Sequence, residues 1–120
     1  MSWDAAVLVA RRPDGRVLGV TRGSNLRDIN LPGGLRAPED PSPAATARRE
    51  AWEETGLVIR SLRPITSWNS QGRRVVAFQG LTWSGRLRPS SEGRPGWAPP
   101  RALTNPGCTF ARHNRKLLEL

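Results

Sequence analysis

The sequence predicts one domain of mixed α/β (α+β) class spanning residues 1–120. Three observations carry that reading. A length of 120 residues suits a single hydrophobic core. Short apolar runs bounded by turn residues flank one clearly helical segment. The resulting order, β-hairpin, loop, helix, strands, helix, is that of a domain in which helices cover a sheet.

Residues 4–10 (DAAVLVA) read as a buried strand and residues 16–22 (RVLGVTR) as its return. Pro13 and Asp14-Gly15 mark the turn between them, so the chain is expected to open with a hairpin. Residues 23–31 are polar and read as irregular. Leu31-Pro32-Gly33-Gly34-Leu35 is a tight backbone feature in which Pro sets one φ and the glycines permit positive φ. A loop over 36–41 leads to Ser42-Pro43, an N-cap followed by Pro at the first helical position. The helix is expected over Pro43–Thr55, stopped by Gly56. Residues 57–68 and 73–83 read as strands around the turn Ser70-Gln71-Gly72. Residues 84–101, rich in Gly, Pro, Ser and Arg, read mostly as loop, with a helical turn over 99–103. Residues 110–120 are expected to form a last helix with Leu117, Leu118 and Leu120 as its apolar contacts.

Composition narrows the function. The longest apolar run, residues 5–10, is too short to span a bilayer, and no signal-peptide pattern opens the chain. Cys108 stands alone, which fits a reducing compartment and a cytoplasmic protein. The net charge of +9 favours anionic partners. Eighteen of the nineteen basic residues are arginines spread without a block, which fits small phosphorylated substrates better than dedicated DNA binding. The five tryptophans are expected in or beside the core, and Cys108 as a packed small hydrophobe.

The acids behave differently. Five of the ten, Glu39, Asp40, Glu50, Glu53 and Glu54, fall within sixteen residues. On a helix, positions 50, 53 and 54 share one face, and Ala44, Ala47 and Ala51 form a neighbouring stripe of small residues suited to close packing. Carboxylates this close repel one another unless cations neutralise them, and oxygen-rich clusters suit Mg2+ or Mn2+. Spacing alone is a weak signal, because such glutamates decorate many solvated helices and Arg48 and Arg49 are at hand to pair with them. Their place near the helix C-terminus, which the macrodipole disfavours, raises the weight of the metal reading.

Arg49-Glu50-Ala51-Trp52-Glu53-Glu54-Thr55-Gly56-Leu57 resembles the second half of the Nudix box, R-E-U-x-E-E-x-G-U, and Leu31-Pro32-Gly33-Gly34 resembles its opening. The resemblance implies an α/β/α sandwich around a mixed sheet. It also implies a divalent ion held by Glu50, Glu53, Glu54 and the Gly33 carbonyl. One departure stands out. Between Gly34 and Arg49 the loop is one residue longer than the family pattern, whether the first acid is taken as Glu39 or as Asp40. Ser42 to Gly56 keeps the family spacing, so the glutamates are undisturbed. Glu39 or Asp40 supports Arg49, with Asp40 preferred.

Ser91-Glu92-Gly93-Arg94-Pro95-Gly96-Trp97 resembles a segment of the MutT-like branch and maps an additional metal ligand to Glu92. Phe110 to Asn114 resembles the start of that branch's last helix, where an asparagine reads the purine edge; this maps to Asn114. Arg22 lies where MutT-like proteins carry a substrate-side arginine. The implied reaction is water attack on a diphosphate chain, with Glu53 as the preferred base and Glu50 or Glu92 as alternatives. Three readings follow: a Mg2+- or Mn2+-dependent nucleoside triphosphate pyrophosphohydrolase, possibly for oxidised substrates; a hydrolase of ADP-ribose, nucleotide sugars or the RNA 5′ end; and a non-catalytic nucleotide-binding module. No obligate protein partner is evident.

Overall fold

A computed structural model describes residues 2–119. The strands are β1 (Ala5–Ala10), β2 (Val17–Arg22), β3 (Asn25–Asn30), β4 (Gly33–Leu35), β5 (Leu57–Ser70), β6 (Arg73–Gly85) and β7 (Pro95–Ala98). The helices are α1 (Pro43–Thr55) and α2 (Ala111–Leu117), with a short 3-10 turn at Pro100–Leu103. A mixed sheet has the order β4-β1-β6-β5, with β1 and β6 parallel. An antiparallel sheet has the order β3-β2-β7.

The opening hairpin is corrected by this topology. A strand has two hydrogen-bonding edges, and those of β1 are taken by β4 and β6. β2 therefore joins the other sheet. Only the tip survives as a hairpin: an Arg11–Val17 bridge, the Arg12 N–H to Arg16 carbonyl bond of 2.8 Å, and Gly15 at φ +91°. Three strands were hidden from pattern reading: β4 is the three-residue Gly33–Leu35 stretch read as a tight backbone feature. β3 is polar where apolar alternation was sought, and β7 lies inside the Gly/Pro-rich segment. β7 carries Pro95 at its start, on the rim of its sheet, where a missing N–H costs no ladder bond.

The long hairpin of β5 and β6 turns at Gln71 (φ +52°) and Gly72 (φ +76°). Two successive left-handed residues match the twist of the flanking strands. β5 is the sheet edge, which is why it tolerates Pro64 and several register shifts.

Both faces of β1 are covered. Ala6, Leu8 and Ala10 face a core shared with Trp3, Leu18, Leu57, Ile59, Val76 and Phe78. Val9 faces a second core with Val17, Leu31, Leu103 and Leu118. The alternation follows from the period of two along a strand. α1 closes the first core through Ala47 and Ala51, which are fully packed, with Ala44 partly so. The small stripe brings the helix backbone close to the sheet. Leu118 is buried beneath α2, whereas Leu120 lies outside the described residues. Trp3 is buried, but Trp52 projects from α1 half-exposed, with Arg88 4.7 Å from its ring centre. Cys108 is buried, as its reading as a small hydrophobe requires.

α1 is capped as its flanks dictate. Ser42 Oγ accepts from the Ala45 N–H at 3.1 Å, and Gly56 (φ +85°) donates its N–H to the Trp52 carbonyl at 2.9 Å. Ser42→Ala is expected to lower the unfolding free energy by about 1 kcal/mol, measured by urea denaturation at neutral pH.

Candidate metal centre

The site grows from the contact between α1 and β4. Gly33 and Gly34 do not need the positive φ that the sequence suggested; neither backbone is left-handed. Space is the reason for both glycines. A Cβ on Gly33 would lie 2.6 Å from the Ala6 carbonyl oxygen of the neighbouring strand. A Cβ on Gly34 would lie 2.5–2.8 Å from the carboxylate atoms of Glu50. Bare backbone on β4 thus lets the helix carboxylates lie against the strand.

Arg49 organises this contact. Its Nε donates to Asp40 Oδ1 at 3.1 Å and its Nη2 to Asp40 Oδ2 at 3.0 Å. Nη2 also donates to the Leu35 carbonyl at 2.9 Å, and Nη1 reaches Glu50 at 2.9 Å and Glu53 at 3.2 Å. Asp40 is therefore the acid that holds Arg49, while Glu39 is exposed and outside this network. Asp40 is itself anchored by the Ala37 N–H and by Thr46 Oγ1, which in turn accepts from Trp3 Nε1. Arg48, a possible pairing partner for the glutamates, instead donates to the carbonyls of Ile59 and Arg60.

Glu50, Glu54 and Glu92 converge. One carboxylate oxygen from each lies within 4.8 Å of the others. Glu50 is buried, Glu54 half-buried and Glu92 exposed. Glu92 arrives on the loop before β7, whose Gly93 N–H bonds the Ser90 carbonyl while the Gly23 N–H bonds the Glu92 carbonyl. Gly33 donates its N–H to Glu54 Oε1 at 2.8 Å. Glu53 is not brought into this group; its carboxylate lies more exposed, against Arg49.

The electrostatics are those of a cation site. Burial pushes the Glu54 carboxyl up to about 8, with Glu50, Glu92 and Glu53 adding to the rise and the Gly33 N–H opposing it. Burial also raises Glu50, against the pull of Arg49. Among the described residues, no arginine or lysine forms an ion pair with Glu54 or Glu92. Three hard oxygen donors, of which only Glu50 has a cationic partner, fit a divalent ion.

Two cavities adjoin the acids. A cleft of about 350 Å3 is lined by Glu54, Glu92, Arg22 and Phe110. A second cavity of about 370 Å3, within the range of roughly 300–1,000 Å3 for small-molecule sites, shares Gly33, Arg22 and Phe110 with it. Trp68 and His113 stack at 5.2 Å on the wall of the second. Arg22 is exposed at the junction, 5.9 Å from the Phe110 ring centre. Asn114 is buried and lines the second cavity. Pattern reading missed Asp28 and Asn30, buried polar residues on β3 that bond to the start of α2. Their only signal was i, i+2 spacing within a polar strand.

The profile of the NUDIX domain matches residues 1–119. The chain belongs to the Nudix family. As a Nudix pyrophosphohydrolase it acts on substrates built on a nucleoside diphosphate linkage, and Nudix hydrolases generally use divalent metals. Its fold resembles a MutT structure from work on Aliivibrio salmonicida and Vibrio cholerae, with TM-score 0.77 and 15% identity over 98% of this chain and 94% of that one. It also resembles MutT from Bacillus halodurans, with TM-score 0.77 and 17% identity over 99% and 81% of the two chains. A MutT Nudix hydrolase from Burkholderia pseudomallei aligns with TM-score 0.75 and 24% identity over 98% and 95%. Among proteins with curated descriptions none matches at a significant level. The mixed α+β fold, two helices on two sheets, agrees with these structures. No helix among the described residues is long and apolar enough to cross a membrane.

Two outcomes follow from the geometry. Gly34→Ala puts a methyl group where the Glu50 carboxylate lies, and that flexible side chain can swing away. The Nudix domain should stay folded while Mn2+ affinity falls by about tenfold or more, read by calorimetry. Arg49 holds the Asp40 carboxyl down from 3.8 to about 2, with the Ala37 N–H and Thr46 hydroxyl assisting and burial opposing. The unfolded chain therefore takes up this proton first as pH falls. Stability present above about pH 4 is lost toward pH 2, by about 2 kcal/mol from this group. Urea unfolding at pH 5, 4 and 3 should show that loss in the parent and a smaller slope in Asp40→Asn.

Proposed function

We propose that this Nudix domain, residues 1–120, hydrolyses a nucleoside triphosphate, standard or oxidised, in a Mg2+- or Mn2+-dependent reaction. The observation that carries the reading is the convergence of Glu50, Glu54 and Glu92 beside a cavity large enough for a nucleobase. We assign Glu50, Glu54, Glu92 and the Gly33 carbonyl to hold the ion, with Glu53 next to them on α1. A bound divalent ion neutralises phosphate charge, polarises the phosphoryl group and lowers the pKa of water.

The chain's own groups supply the rest. Arg49, fixed by Asp40, orients Glu50 and Glu53 from one guanidinium. Glu53, outside the gathered acids, is the base we assign to take the proton of the attacking water; Glu50 and Glu92 are the alternatives. Water attacks one phosphorus, a P–O bond forms, and the anhydride P–O bond breaks toward the departing phosphate group. Arg22, exposed between the two cavities, would contact phosphate, and Asn114 would contact the base. Cys108, the single cysteine of the sequence and buried in the fold, supports work in the reducing cytoplasm.

The net charge of +9 favours, as a second reading, a longer anion such as the 5′ end of RNA. ADP-ribose and nucleotide sugars share the diphosphate that the acids would serve. A panel of standard and oxidised dNTPs, ADP-ribose, NDP-sugars and triphosphorylated RNA, assayed with Mg2+ and Mn2+, decides among them. Turnover of a triphosphate is expected, and Glu53→Gln or Glu54→Gln should cut it by orders of magnitude. Nucleotide binding without turnover of any substrate would leave a non-catalytic module; variants within a few-fold of the parent would remove the assigned acids from the chemistry.

A further inference from the structure

Asn114 is the one fully buried polar side chain among the residues lining the second cavity, with 3% exposure. Which way its amide faces is decided by its neighbours. The Leu103 carbonyl only accepts, so the atom 2.8 Å from it is Nδ2. Nδ2 also donates to Asn30 Oδ1 at 3.0 Å. That Asn30 atom is an oxygen because the backbone N–H of Phe110 donates to it at 3.1 Å. At its other end, Asn30 Nδ2 donates to Asp28 Oδ1 at 2.7 Å. Asp28 accepts further from the Thr109 N–H and hydroxyl. Those bonds hold its carboxyl below its ordinary value although burial opposes them, so it remains an acceptor.

Every link in this relay therefore has one polarity. Carboxylate and carbonyl only accept, and backbone N–H only donates. Both Nδ2 hydrogens of Asn114 are engaged inside the protein. No donor among the described residues reaches its Oδ1. Turning the amide over would set Oδ1 against two acceptors, Asn30 Oδ1 and the Leu103 carbonyl.

We propose that Asp28 and Asn30 are positioning residues that lock Asn114 with only an acceptor to offer the cavity, so that the site selects nucleobases whose edge donates an N–H. The inference rests on the reading that this cavity receives the base of a nucleotide. An unlocked asparagine would serve either polarity, presenting Nδ2 to an accepting edge and Oδ1 to a donating one. The locked one leaves two acceptors face to face when the base has no donor. Arg22, Arg73 and Gln71 at the cavity are exposed and free to satisfy themselves in water, and Ser70 and His113 are only partly buried.

The orientation is tested first without any nucleotide. In 15N-labelled protein the Asn114 side-chain amide, assigned by its loss in Asn114→Asp, should exchange slowly with solvent and become fast in Asn30→Ala. An Asn114 amide that exchanges like a free one in the parent overturns the lock. Selection is tested with ATP, GTP and purine riboside triphosphate, whose base has no N–H. The last should show kcat/KM lower than the better of the other two by about tenfold or more. In Asn30→Ala that ratio should shrink to within about threefold, as the freed amide can turn Nδ2 toward the base that has no donor. Asp28→Asn should keep the ratio, because its Oδ1 can still accept both N–H donors while its Nδ2 donates to the Thr109 hydroxyl. Equal handling of all three nucleotides by the parent, or an unchanged ratio in a folded Asn30→Ala, overturns the selection. If no nucleotide is turned over, the hydrolase reading fails separately. The same ratio is then read from binding of the three compounds by calorimetry.

Discussion

The guanidinium of Arg49 is the constraint on which the site depends. It is one cation shared among three carboxylates and a backbone carbonyl: Asp40 on the loop, Glu50 and Glu53 on its own helix, and Leu35 on β4. The contacts come from three elements, so the loop, the helix and the strand cannot move independently. The planar fork of arginine makes this possible, since lysine offers a point charge without the fixed directions. Asp40 in turn rests on Thr46 and Trp3, which carries the constraint into the main core. In a half-buried charge network of this kind desolvation offsets part of the attraction, so the net stability gained is smaller than the contacts alone suggest. Its contribution is a defined geometry for acids that would otherwise repel.

Close backbone approach is the second half of the same design. Gly33 and Gly34 leave no Cβ between β1, β4 and Glu50. The Gly33 N–H then reaches Glu54, and the helix acids lie against a strand rather than in solvent. Burial raises the Glu54 and Glu50 carboxyls, and the arrival of Glu92 from a distant loop raises them further. The protein thus concentrates negative charge inside a chain of net charge +9. The acids gathered on α1 and the loop before β7 are set apart from the arginines that dominate the rest of the chain.

The second core and α2 govern a different matter. Leu103 and Leu118 pack the C-terminal part against Val9, Val17 and Leu31, and this places Asn114 beside the cavity. The clustered acids on α1 and the buried Asn114 are therefore tied to different cores, which lie on opposite faces of β1.

Much of the helix and its acids was legible in the sequence, since caps, spacing and small-residue stripe are local properties. Ser42, Gly56 and the 50, 53, 54 register need only the 3.6-residue period and backbone hydrogen bonding. Tertiary structure alone decided the partner of β1, because edge occupancy is a property of the whole sheet; it sent β2 to another sheet and made strands of the polar 25–30 and Pro-rich 95–98 segments. It also chose Asp40 over Glu39, gathered Glu92 with Glu50 and Glu54, and left Glu53 on Arg49. Those outcomes depend on which side chains meet across long sequence separations, and the same holds for the Asp28–Asn30–Asn114 relay. Its polarity follows from the Phe110 N–H and the Leu103 carbonyl, backbone groups whose positions exist only once the chain is folded.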